Sequence, residues 1–329
     1  MTARQVTVLP EGDGMRLDRW LREQCGGLSQ ARIARLLRCG RIRVDGGRAR
    51  VGRRLSAGER VRIPPDVQAA GSSVCGHEVR LADRDRRWLG RAALLHRDKH
   101  VLAINKPAGI PVQGGTGTDP GRSLDSMVSA WIGGDGFRPR LVHRLDRETS
   151  GVLLMALDRP TAAALAASFR DRMIGKLYWA AVRGRLSPPS GKWAGALIRE
   201  AGGGVWRTRI ARETETGGKP ASTEYVTAAV NDEHGVSWIL LRPHTGRMHQ
   251  IRAHLAAAGA PILGDRRYGV VDAGRGARLC LHARAMDFLH PTTGARIELT
   301  APLDEAMQEI WRVFGWRETD PPADPFRSA

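Results

Sequence analysis

Apolar positions along the chain follow two different rhythms. Near the start, Leu17, Trp20 and Leu21 stand at i, i+3 and i+4, a spacing that predicts a short helix. A second helix is predicted from Leu28-Ser29, which offers a cap, through Ile33, Leu36 and Leu37 on one face, to Gly40 as a stop. Alternation then takes over at Ile42 and Val44, a turn at Asp45-Gly46-Gly47, and Val51, Leu55 and Val61-Arg62-Ile63, which predicts strands. Pro64-Pro65 and the mixed stretch to about Arg87 read as a linker. From Leu94 onward short β patterns dominate: Val101–Ile104, Gly151–Ala156, Leu177–Val182, Val236–Leu241 and Ile297–Thr300. Helical stretches interrupt them at Pro160–Met173 and Gly246–Ala258. The pattern predicts an α+β protein: a small N-terminal α/β domain over 1–65, a linker over 66–90, and a domain over 91–316 built on a mixed, mainly antiparallel sheet. The polar, proline-bearing end, 317–329, is expected to be a disordered tail.

Charge narrows the range of partners. The 329 residues carry 52 Lys+Arg against 34 Asp+Glu, a formal net charge of +18. That excess is the signature of a polyanion-binding protein, and nucleic acid is the expected partner. A membrane surface would call for an amphipathic or lipidated anchor, and none is visible. Half of the net charge falls in residues 1–65, which hold 15 arginines and six acids. Arg32, Arg35 and Arg38 recur along the second predicted helix, and Arg41 and Arg43 follow on the next strand. Such a stripe can be a plain solvated face. The absence of acids at i+4, and the small size of the segment, favour a surface that tracks phosphates. Only five basic residues are lysine (Lys99, Lys106, Lys176, Lys192 and Lys219). The cysteines Cys25, Cys39, Cys75 and Cys280 form no C-x-x-C pair, so neither a zinc site nor a disulfide framework is expected. With no signal-like start and no apolar run of membrane-spanning length, a soluble, cytoplasmic monomer is expected.

The segment that carries chemistry is His143-Arg144-Leu145-Asp146-Arg147-Glu148-Thr149-Ser150-Gly151. Its acid, Asp146, lies between two arginines and just before the apolar run Val152–Ala156, which reads as a buried strand. A turn at the lip of such a strand can hold an acid rigidly toward a cleft, although an Asp beside Arg is by itself more often a surface ion pair. The whole nonapeptide resembles the central motif of the RluA-type pseudouridine synthases. Four further segments resemble the same family in the same order. They are Asn105-Lys106-Pro107-Ala108-Gly109 with Pro111–Gly115, then Lys176–Gly184, then Arg242–Leu255 running on to Asp265 and Tyr268-Gly269, and last Leu279–Ala283 with His290-Pro291. Residues 1–65 are similar to the small RNA-binding module of ribosomal small-subunit protein four.

The resemblance implies a fold, a reaction and roles. It makes Asp146 the catalytic carboxylate, Arg252 its basic partner and Tyr178 the active-site ring. Arg144 would enter the space left by a flipped base, and Arg147 with Arg32, Arg35, Arg38 and Arg41 would contact RNA. Glycosidic isomerisation of a uridine needs no external group, so no cofactor and no metal are implied. The histidines of the third segment do not suggest a metal: His249 and His254 fall about 140° apart around a helix, and no H-E-x-x-H occurs. Along that helix Ile251, Leu255 and Ala258 are expected to face the core, with Arg252 at its edge. The N-terminal module together with Val112-Gln113-Gly114-Gly115-Thr116-Gly117 is similar to members acting on large-subunit ribosomal RNA, of which there are two types. Members acting on transfer RNA usually lack the module. A non-catalytic RNA-binding assembly factor is the alternative of another class, one that would be free to lose Asp146.

Overall fold

The computed structural model describes residues 3–25, 28, 30–67, 94–114, 123–132, 139–202, 205–269, 278–318 and 325–326. The chain divides into two compact units, Met1–Val79 and Arg80–Ala329. Most of the expected linker, and Ser29 of the expected helix cap, lie outside the described residues.

The first unit contains β1 (Arg4–Thr7), α1 (Leu17–Gln24), α2 (Gln30–Arg38), β2 (Arg43–Val44), β3 (Gly47–Arg48) and β4 (Arg60–Ile63). Its sheet runs β1-β4-β2-β3. Leu17 and Leu21 of α1 and Ile33 and Leu37 of α2 pack with Ile42, Val61 and Ile63 in one buried cluster. Val51 is no strand residue; the chain there turns irregularly, and Leu55 is buried without a strand around it. Arg32, Arg35, Arg38 and Arg41 are exposed. No acid stands at i+4 of the helical arginines, as expected, but a residue further along the chain meets two of the four. Asp66 pairs with Arg41, and its carbonyl accepts from Arg32 Nη2 at 3.5 Å.

The second unit holds β5 (Leu94–Arg97), β6 (Val101–Lys106), α3 (Leu124–Ile132), β7 (Arg140–Leu141), β8 (Ser150–Ala156) and α4 (Arg159–Arg170). Then come β9 (Gly175–Arg183), β10 (Ser190–Gly202), β11 (Val205–Ile210), β12 (Lys219–Asn231) and β13 (Val236–Pro243). The last elements are α5 (Gln250–Ala257), β14 (Leu281–Leu289), β15 (Arg296–Thr300) and α6 (Glu305–Val313). The strands make one eleven-stranded sheet along the path β11-β10-β12-β13-β9-β14-β8-β6-β5, with β15 on β14 and β7 on β8. The fold is therefore α+β with a mixed, mainly antiparallel sheet. Every residue of β8 is buried from Ser150 to Ala156, in keeping with the unbroken apolar run Val152–Ala156.

The pleat separates two faces. Tyr178 and Lys176 share one side of β9, while Trp179 lies opposite, 4.6 Å from Trp238 and 6.5 Å from Trp311 of α6 between ring centroids. Trp316 closes that group at 5.4 Å from Trp311. Asp158 and Asp304 cap α4 and α6 by accepting from Thr161 N and Met307 N. Within the expected tail, Glu318 accepts from Leu303 N at 2.8 Å, and the Phe326 carbonyl accepts from Arg242, so these two residues are held.

Among the described residues one strand pairing in the sheet is parallel, β14 on β8, with His282 beside Ser150 and Ala283 beside Gly151. It brings β14 against the start of β8, and no side chain fits there. Gly151 has φ +111, and a Cβ on it would sit 2.2 Å from the Ala283 carbonyl oxygen.

Candidate active site

The nonapeptide is fastened at both ends before its acid is presented. His143 accepts the Leu154 backbone N–H at Nε2 (2.8 Å) and stacks on Phe169 of α4. At the other end, the Ser150 hydroxyl lies 2.8 Å from His282 Nδ1. His282 Nε2 donates to the Ala301 carbonyl, so Nδ1 accepts from Ser150, whose oxygen takes a further bond from Arg278. From below, Lys106 at the end of β6 is fully buried and donates to the carbonyls of Pro107, Ile110 and Arg147 at 2.7–3.0 Å. Burial pushes its amine down to about 7. Arg147 also exchanges two backbone-directed bonds with Gly109. The loop that ends in Asp146 is thus tied to the preceding strand, the following strand and the loop after β6.

Asp146 faces a cleft of about 610 Å³, in the range of small-ligand sites, lined also by Arg144, Lys176, Tyr178, His249 and Arg252. Arg252 Nη1 stands 3.5 Å from Asp146 Oδ2. The same guanidinium is gripped by Asp265, whose two oxygens accept from Nε and Nη2 at 2.7 Å each. Asp265 also accepts from the backbone N–H groups of Arg267 and Tyr268. Burial would raise the Asp265 carboxyl, but those bonds and the adjoining charge hold it below the usual range. Gly264 makes this possible: at φ +73 its missing Cβ would fall 1.7 Å from the Arg278 carbonyl oxygen. Tyr178 remains a phenol, because burial and then the Asp146 charge raise its hydroxyl above the ordinary value.

The three residues proposed from sequence as catalytic therefore stand together, and Arg144 is exposed at the same cleft. Arg147 is exposed too, but its Nε is spent on Gly109, and it is not part of the cleft wall. Arg252 is buried rather than at the edge of the core, and Ala258, expected in the apolar stripe, is exposed past the end of α5. The helix starts only at Gln250, because His249 is left-handed at φ 54. The three histidines of this segment go to separate partners, Glu224, Tyr268 and Thr223 for His244, His249 and His254. Among the described residues no group of three or more His, Cys, Asp or Glu side chains could hold a metal, and no helix is long and apolar enough to cross a membrane.

The RNA pseudouridylate synthase family matches residues 100–257. Ribosomal large subunit pseudouridine synthase C of Salmonella typhimurium is 35% identical over 94% of this chain and 96% of its own. The chain belongs to the RNA pseudouridylate synthase family. The Escherichia coli K12 synthase C is also 35% identical, over 92% of this chain and 94% of its own. Among solved structures, human RNA Pseudouridylate Synthase Domain Containing 4 superposes with a TM-score of 0.56 at 25% identity, covering 68% of this chain and 93% of that one.

In this pseudouridylate synthase no local sequence pattern assigns a role to Asp265, Lys106, His143 or His282. One signal was available for Lys106, a charged residue closing the apolar strand Val101–Ile104. The others take their meaning from partners far along the chain. The buried histidines also have a measurable consequence. Burial drives His143 down to about 3, and His254 and His282 to about 4. Above the ordinary value near 6.5 neither folded nor unfolded chain is protonated at these sites. Below it the unfolded chain binds protons that the folded chain excludes, so stability falls as pH drops from 6.5 toward 4. His249 is driven down to about 4 as well, and with four such sites the slope approaches about 5 kcal/mol per pH unit. Thermal unfolding of the protein followed between about pH 7 and pH 5 should show a steep decline; a flat profile would contradict the burial of neutral imidazoles.

Proposed function

We propose that this chain converts uridine to pseudouridine in large-subunit ribosomal RNA, in the cytoplasm, with Asp146 as its essential carboxylate. The observation that carries the reading is the approach of Arg252 to Asp146 at 3.5 Å inside a cleft shared with Tyr178. The identity with synthase C over nearly the whole chain supports the substrate class. In the reaction the C1′–N1 bond breaks, the base turns, and a C1′–C5 bond forms. N1 gains a proton and C5 loses one, so substrate and product are isomers and no cofactor is called for. Asp146 acts either by attacking the sugar or by removing its proton; both routes need the same ionised oxygen beside a fixed positive charge. Arg252, clamped by Asp265, supplies that charge. Tyr178 stacks on the uracil as a neutral phenol.

A paired uridine must leave its stem, which costs a few kcal/mol. Arg144, exposed at the cleft, fills the vacated space, and the N-terminal arginines Arg32, Arg35, Arg38 and Arg41, with Arg147, hold phosphates. Arg144→Ala is expected to lose structured RNA about tenfold or more while still modifying an unstructured oligonucleotide. Equal loss on both substrates would make Arg144 a phosphate contact instead.

The reading is tested by mapping pseudouridines on ribosomal and transfer RNA from cells with and without the gene, and on transcripts treated with purified protein. Large-subunit positions should be lost in the deletion and restored in vitro. Sites confined to transfer RNA would move the substrate, and positions of the sibling large-subunit synthase, type D, would change the subtype. No lost site anywhere would leave a non-catalytic binding factor.

A further inference from the structure

His249 is one of three residues other than glycine with positive φ among the described residues, and it lies against the cleft. Backbone held in this region costs on the order of 1 kcal/mol or more and persists where surrounding structure enforces it. The twist places the imidazole between two oxygen atoms. Nδ1 lies 3.0 Å from the Tyr268 hydroxyl, and Nε2 lies 3.8 Å from Asp146 Oδ2. The Tyr268 hydroxyl itself accepts the backbone N–H of Thr208 in β11 at 2.7 Å.

The direction of each bond follows from what each group can do. A backbone N–H only donates, so it occupies a lone pair of the Tyr268 oxygen. The single hydroxyl hydrogen is then free to point at His249 Nδ1. A neutral imidazole that accepts at Nδ1 carries its hydrogen on Nε2, and that edge faces a carboxylate, which only accepts. We propose that Tyr268 locks His249 in the Nε2–H tautomer and that His249 is thereby a positioning residue, aiming the Asp146 carboxylate together with Arg252. The inference rests on the reading of Asp146 as the essential group. Burial agrees with it, pushing His249 down to about 4 against the pull of Asp146, so that the ring is neutral at physiological pH. Both His249 and Arg252 make their nearest approach to the same oxygen, Oδ2. At 3.8 Å the His249 contact is longer than a hydrogen bond, and catalytic bonds of this kind tighten when substrate closes the site. The chain of bonds also gives the edge strand β11 a part in the chemistry, through one backbone N–H.

The test uses the full chain and an unmodified large-subunit rRNA transcript. His249→Leu removes the polar edge, and His249→Gln keeps a donor near the Nε2 position; both bear the same backbone cost. Tyr268→Phe keeps the ring 5.1 Å from the Arg252 guanidinium and removes only the hydroxyl. We expect His249→Leu to lower kcat by about 10- to 100-fold with KM within about threefold, and His249→Gln to recover at least about tenfold. Tyr268→Phe should lower kcat by about 3- to 10-fold, and the double variant should be no worse than His249→Leu within about twofold. Equal losses in the Leu and Gln variants, or additive losses in the double variant, would overturn the proposal. Nitrogen NMR of histidine-labelled wild type gives a readout independent of turnover. It should find His249 protonated at Nε2 alone, with the other tautomer appearing in Tyr268→Phe. A cation or an Nδ1–H ring in the wild type would also overturn it. Absence of wild-type turnover would instead defeat the Asp146 reading and leave the NMR result to decide the tautomer lock.

Discussion

Asp146→Asn is expected to end pseudouridine formation while the protein stays folded and keeps its RNA. Asparagine matches the shape of the acid, and the side chain is about one-fifth exposed, so packing is little disturbed. Arg252 is not orphaned by the change, because both of its hydrogen bonds go to Asp265. What disappears is the acid that, among the described residues, lines the cleft beside Arg252 and His249. Removing a group that the reaction cannot replace typically costs a factor on the order of 10⁴ or more in kcat. Single-turnover assays on the rRNA transcript, beside a filter-binding measurement and a melting curve, check all three parts of the expectation. Turnover within a hundredfold of wild type would remove Asp146 from its proposed role.

The second large effect lies one step behind the cleft. Asp265 has no exposed side-chain surface and accepts four hydrogen bonds, two from Arg252 and two from backbone N–H groups. In Asp265→Ala the guanidinium stays buried, with Asp146 at 3.5 Å as its remaining ion-pair partner among the described residues. Breaking a buried pair from one side costs about 3–5 kcal/mol, because the remaining charge is left without compensation. Denaturant unfolding followed by fluorescence of the tryptophans around Trp311 reads this unit. Activity should fall as well, by about 10- to 100-fold even where the variant is folded, since a displacement of about 1 Å at a reacting pair has that effect. A variant as stable as wild type would mean that the Arg252–Asp265 pair is not what anchors the site.

These two residues also mark where sequence reading succeeds and where it stops. Asp146 stood out through the resemblance of its whole nonapeptide to a family motif, an acid between arginines being by itself more often a surface ion pair; the strand behind it was legible because its apolar run is local. The helices α1 and α2 were legible for the same reason, as were β6 and β8, whose apolar residues are contiguous. The long strands β10 and β12 carried no such signal. Ser222, Thr223 and Glu224 follow one another with no apolar alternation, and much of β12 is only half-buried. Helix α6 escaped although its apolar face is narrow and regular, because it follows a proline-bearing loop and its weight rests on Trp311. Asp265 was invisible as a partner because its meaning is a contact with Arg252, thirteen positions away and across a turn. The start of α5 was misjudged by four residues, since nothing local says that His249 will be left-handed. The pairs β5–β6, β10–β11, β12–β13 and β14–β15 join strands that are neighbours in sequence, but β13–β9, β9–β14, β14–β8 and β8–β6 do not, and no window of sequence contains those.

The parallel pairing of β14 on β8 has a consequence in time. Ser150 and Gly151 find their neighbours in His282 and Ala283, more than 130 residues later in synthesis. Long-range pairings of this kind close late in folding, and a nascent chain emerges from its amino end. The acid-bearing loop therefore lacks its Ser150–His282 fastening until β14 has left the ribosome, and pseudouridine formation is expected only after that point. A chain stalled at residue 275 should bind RNA through its first unit yet form no pseudouridine, and activity in such a fragment would refute this timing.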